Sequence, residues 1–153
     1  MKEAKTRVTV DVGIGSLWKC LSKDLLSILP QVIPNLVQNG EVIEGDGGLG
    51  TVILFSFGPD VPNMKYQKEK IVELDESVHR IGLQVVEGGH LDLGFTFYKT
   101  SFQLTAISEK QTLVDVVYER ETEQRVLPAK TTAGAIACIK GLENYLLSTD
   151  ATT

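Results

Sequence analysis

The order of patterns along the chain constrains its fold most. A long middle of alternating, β-branched stretches cut by short polar turns is followed by a single helical stripe. Within 4–12, Thr6, Val8, Val10 and Val12 share one side, and Arg7, Thr9 and Asp11 the other. Successive strand residues point to opposite faces, so this period of two predicts a strand. Gly13 and Gly15 break it. Over 15–35 the spacing becomes helical through Leu17, Trp18, Leu21 and Leu25, with Ser16 placed to cap the first turn. A second apolar run starts at Asp24, and Pro30 and Pro34 limit its length.

Strands are then predicted around 42–43 and over 52–57, 66–74, 80–87, 93–105 and 112–119. Turn chemistry separates them at Gly58-Pro59-Asp60, Asp75-Glu76-Ser77, Gly88-Gly89 and Ser108-Glu109-Lys110. Connections this short join neighbours as an antiparallel meander. From about Pro128 to Leu147, Ala135, Ile139, Leu142 and Leu146 fall at intervals of four, three and four, the stripe of an amphipathic helix. Pro128 suits its first turn. The fold class is therefore α+β, with one strand, two short helices, six strands and a long last helix. The simplest packing lays that helix on the concave face of a curved sheet.

Length and charge narrow the function. At 153 residues, 42% hydrophobic and 23% charged, the chain fits one domain, 1–153, able to bury a core without staples. The net charge of −5, with no basic stripe, argues against nucleic acid and against an anionic membrane surface. No stretch approaches the roughly 20 apolar residues of a membrane helix. Cys20 and Cys138 sit among apolar neighbours and read as reduced, buried thiols. With no signal peptide they point to the cytosol. The two histidines, His79 and His90, form no ligand cluster, so no metal or cofactor is expected, and His90 reads as a loop residue at a cavity mouth. The loop from Gly45 to Gly50 lacks the lysine and following helix of a phosphate cradle, and its glycines read as punctuation at positive φ.

Whether the interior is hollow stays open at this level. Ala133, Gly134, Ala135, Ala137, Cys138 and Gly141 leave room beside the helical stripe, yet small residues serve close helix–sheet packing equally well. Gln67 and Glu69 lie two apart on one strand and share a face with Ile71, which directs them inward, while Lys68 and Lys70 face outward. An inward carboxylate is costly without a partner, which suggests a polar group on a ligand.

Specific stretches resemble a known family. Glu44-Gly45-Asp46-Gly47-Gly48-Leu49-Gly50-Thr51 is similar to the glycine-rich loop of the birch-pollen-allergen superfamily, the class-ten pathogenesis-related proteins of plants. The order of elements agrees over the whole chain. Tyr66-Gln67-Lys68-Glu69, the run from Ile81 to Gly89, Tyr98-Lys99-Thr100 and the run from Lys110 to Val114 resemble its cytokinin-specific, phytohormone-binding branch. The run from Glu87 to Gly94 is shared with the norcoclaurine- and norbelladine-synthase-like enzymes.

The resemblance implies a seven-stranded antiparallel sheet gripping the last helix, two short helices closing one end, and a large internal cavity. It implies that Gln67 and Glu69 hydrogen-bond a small, largely apolar ligand, such as a cytokinin- or gibberellin-like hormone. Ile81, Leu83, Tyr98, Thr100, Phe102, Ala135, Cys138 and Ile139 complete the candidate wall. Polar helix positions of that branch hold Ala135 and Cys138 here, so the helix side is less polar. Of the groups that the related condensing enzymes use, Glu69 is present, but the lysine position holds Ile81 and the aspartate position Thr100. Arg80 is adjacent but faces the opposite side. An enzyme reading therefore rests on Glu69 and Tyr66 alone. Oligomeric state is not readable.

Overall fold

A computed structural model describes residues 1–122 and 133–150. Seven strands form one antiparallel sheet: β1 (Lys2–Val10), β2 (Val37–Glu44), β3 (Val52–Phe57), β4 (Tyr66–Asp75), β5 (Arg80–Gly88), β6 (Phe95–Ser108) and β7 (Gln111–Thr122). Their spatial order is β1-β7-β6-β5-β4-β3-β2, so β2 to β7 run as a meander and β1 joins at the far edge. Register shifts in β2–β3, β4–β5 and β6–β7 mark bulges, which bend strands and help curve the sheet.

Helices α1 (Ile14–Ser22) and α2 (Leu25–Val32) follow β1, and α3 (Ala133–Asp150) follows β7. The residue at the start of α1 is Gly13, whose carbonyl accepts from Leu17 N–H at 3.1 Å. Ser16 lies inside the first turn and makes no cap, a correction to the sequence reading. Pro30 sits within α2 and does not end it; the helix runs on to Val32. The expected strand over 93–105 starts later, at Phe95, because Gly89–Leu93 forms a short 3-10 turn closed by Gly94 at φ 100°. The glycine loop does contain residues at positive φ, namely Gly45, Gly47 and Gly50, and Thr51 Oγ1 accepts from Gly47 N–H at 2.9 Å. Pro128 lies outside the described residues, which take up the helix at Ala133.

The inner face of the sheet and the stripe on α3 build the core. Ile81, Phe102, Leu104, Val114, Val116, Ile139 and Leu142 are buried together with Leu17, Leu21 and Ile28 from the short helices. The helix α3 packs against α1, α2 and β1. Its buried Glu143 accepts the Asp11 backbone N–H at 2.8 Å, tying the helix to the β1–α1 junction. Trp18 Nε1–H donates to Glu76 at 2.7 Å, tying α1 to the β4–β5 turn. On the outer face, Arg80 donates to Glu73 at 2.7 Å and Lys99 pairs with the same carboxylate.

Candidate functional site

A cavity of about 700 Å³ lies between the sheet and the first turns of α3. Volumes of this order suit small organic molecules. Its floor comes from alternate residues of neighbouring strands: Phe55 on β3, Gln67 and Glu69 on β4, Leu83 on β5, Tyr98, Thr100 and Phe102 on β6, and Tyr118 on β7. Antiparallel register sets Leu83 opposite Thr100 and Thr100 opposite Tyr118, so these side chains form a continuous strip across three strands. Gly134, Ala135 and Cys138 of α3 form the roof, and Leu21, Leu25 and Leu29 close the side. Ile33 and Leu36 after α2 and residues 60–64 of the β3–β4 loop complete the lining on that side.

The wall is mostly apolar, with one polar string. Gln67, 5% exposed, points inward as its alternation with Lys68 predicts. Its Oε1 accepts both the His90 backbone N–H at 3.1 Å and a bond at 2.7 Å with His90 Nδ1. The Gln67 amide also lies beside Glu69 and favours its charged form. The surface that Glu69 keeps accessible faces the cavity rather than bulk water. Enclosure among apolar groups disfavours the charged form, and the Gln67 amide only partly opposes this, so the carboxyl is pushed up to about 7. Across from it, burial and the Glu69 charge push the Cys138 thiol up to about 12. Near neutrality the site therefore offers a neutral thiol and a carboxyl that exchanges its proton readily.

Most of the expected residues meet here. Gln67, Glu69, Leu83, Tyr98, Thr100, Phe102, Ala135 and Cys138 all line the cavity. Ile81 and Ile139 lie deeper in the packed core and are not part of the lining. Tyr66 is corrected: it is 38% exposed, and its hydroxyl donates to Glu87 on the outer face at 3.1 Å. The parity that turns Gln67 inward turns Tyr66 and Lys68 outward.

Sequence reasoning left several residues out of the wall, such as Phe55 and Leu29, and among the polar ones Tyr118 and His90. Tyr118 continues the inward series Thr112, Val114 and Val116, a signal that was readable. His90 is not a mouth residue but buried, with its ring stacked on Tyr98 at 3.8 Å between centroids. Gly88 and Gly89, both at positive φ, make the turn that brings it in, and a Cβ on Gly89 would strike the Gln67 amide. Asp92, two residues on, is exposed. Among the described residues, no three His, Cys, Asp or Glu side chains gather to hold a metal, and no helix is long and apolar enough to cross a membrane.

With that geometry in view, similarity to known proteins is informative. Norbelladine synthase of Narcissus pseudonarcissus is 31% identical over 116 residues, covering 75% of this chain and 71% of that protein. Pathogenesis-related protein A of Petroselinum crispum is 34% identical over 95 residues, 62% of this chain and 60% of that one. The chain thus spans less than two thirds of that relative. Among solved structures, norcoclaurine synthase of Thalictrum flavum in complex with dopamine and hydroxybenzaldehyde superposes with a TM-score of 0.80 at 25% identity, covering 96% of this chain and 87% of that one. A family model matches residues 2–149, and the chain belongs to the pathogenesis-related protein Bet v 1 family.

Proposed function

We propose that this protein binds a small, largely apolar plant hormone or related metabolite, cytokinin- or gibberellin-like, and releases it chemically unchanged. The observation that carries this reading is a guest-sized apolar cavity with one polar string, Glu69–Gln67–His90, in its wall. Apolar burial would supply affinity, at roughly 25 cal/mol per Å² removed from water. Gln67 and Glu69 would orient the guest, since a few placed polar groups in an apolar pocket fix pose and specificity. Ile81 and Ile139 would act from behind the wall, holding Leu83 and Cys138 in place. The two free thiols, Cys20 and Cys138, fit a reducing compartment, and we place the protein in the cytosol.

Calorimetric titration with trans-zeatin, gibberellic acid and abscisic acid tests the proposal. Saturable heat with at least one of them is expected. No heat and no thermal shift with any would contradict it.

A second reading, condensation of an arylethylamine with an aldehyde, draws on the dopamine- and hydroxybenzaldehyde-bound relative and on the proton-exchanging Glu69. Such chemistry wants positioned proton-transfer partners. Here the matching positions hold Ile81, packed in the core, and Thr100. Enantiomerically enriched product from dopamine and an aldehyde would overturn the non-catalytic reading.

A further inference from the structure

The orientation of the Gln67 amide is fixed by a donor whose identity is not in doubt. A backbone N–H can only donate, so the Gln67 atom facing the His90 N–H at 3.1 Å is the carbonyl oxygen. The His90 ring nitrogen 2.7 Å from that same oxygen must then carry a proton. His90 is consequently protonated on Nδ1, and the NH2 end of Gln67 is turned away from His90, on the side of its strand neighbour Glu69. Stacking on Tyr98, an edge contact with Phe95 and the tight turn at Gly89 all hold the ring in this pose. We infer that His90 is a positioning residue that locks the Gln67 amide so that Glu69 receives its N–H, which makes the polar string select guests that donate a hydrogen bond.

With its oxygen held by two donors from His90, Gln67 cannot rotate to present that oxygen to the guest without orphaning buried N–H groups. Glu69 then accepts one bond from Gln67 and keeps acceptor capacity toward the cavity. Above pH 7, with the carboxyl ionised, a guest that brings an O–H or N–H satisfies it, and one with only an ether oxygen places two acceptors face to face. Without the His90 ring N–H, the amide is freer to turn, and both guests can be accommodated.

The inference rests on the proposed binding in this cavity, and two measurements separate their fates. The first needs no ligand. Nitrogen-15 NMR of the neutral His90 ring should show the proton on Nδ1 and a pyridine-like Nε2; the opposite tautomer would overturn the positioning role outright. The second titrates, at pH 8 with Glu69 ionised, 2-naphthol and 2-methoxynaphthalene, which differ in one O–H donor. The wild type should prefer the naphthol by about tenfold, the worth of one hydrogen bond in a dry site. His90→Phe keeps the ring stack and should lose the preference, whereas His90→Asn, which restores an N–H donor, should recover it. A preference intact in His90→Phe would overturn the inference. If neither naphthalene binds the wild type, the cavity reading is what fails, and the tautomer still decides the role of His90.

Discussion

Each half of α3 carries a glycine, yet the two glycines do opposite jobs. Around Ile139–Leu146 the helix is pressed against its neighbours: Ile139 and Leu142 are fully buried, and a Cβ on Gly141 would come within 3.1 Å of Ile33 and 3.2 Å of Val32. Nearer its start the same helix borders the cavity through Gly134, Ala135 and Cys138, and among the described residues a Cβ on Gly134 would meet nothing within 4 Å. Small residues permit close approach where a second helix comes near, and leave a void where only a curved sheet stands opposite. The cavity thus exists because α2 supports the later part of α3 while, among the described residues, no side chain fills the gap between its first turns and the concave floor.

The largest expected effect that could break this contrast is a pair of truncations. Leu142→Ala should cost about 3–4 kcal/mol in denaturant unfolding, because the hole is opened in close-packed surroundings. Leu83→Ala, whose side chain already borders the void, should cost clearly less, about 1–2 kcal/mol. Equal losses would mean that the two regions are not differently packed.

Small-to-large swaps give the converse. Gly141→Leu should destabilise by about 2 kcal/mol through overpacking against Val32 and Ile33. Ala135→Leu should leave the melting temperature nearly unchanged while abolishing heat in any titration that gives a signal with the wild type.

Glu69 sharpens the contrast electrostatically. Its carboxyl is pushed up to about 7 from an ordinary value of 4.5. Between those values the folded chain holds a proton that the unfolded chain releases, so stability falls as pH rises through this window and is unaffected below it. Glu69→Gln should therefore raise stability at pH 8, by on the order of 2 kcal/mol, and leave it unchanged near pH 4. An amine-bearing guest should show the reverse preference, binding more tightly as pH rises through 7. The smallest effect concerns Cys138. With its thiol held near 12, iodoacetamide at pH 8 should modify it far more slowly than a free cysteine thiol, and a bound guest should slow it further.

The strands were legible because alternation is written directly in residues such as Thr6, Val8 and Val10. The inward turn of Gln67 and Glu69 followed from the same parity, which, applied one residue earlier, also excludes Tyr66. Tyr118 needed only the same rule carried along β7. Other features depend on contacts made far apart in sequence. His90 enters the wall only because two successive glycines bend the chain at angles that composition does not specify. Ile81 and Ile139 carry the right parity for the interior, but how far along the helix the packing opens into a cavity depends on where α2 meets α3. Pro30 shows the limit of local rules: it lies inside α2, which continues to Val32.

The central claim, a hollow half beside a packed half, is tested most directly by methyl-labelled NMR during titration with neutral 2-methoxynaphthalene. Saturable shifts at Leu83 and Ala135, with Val114, Val116 and Leu142 left still, are the expected result. Shifts confined to surface methyls, or spread evenly over all five residues, would contradict it.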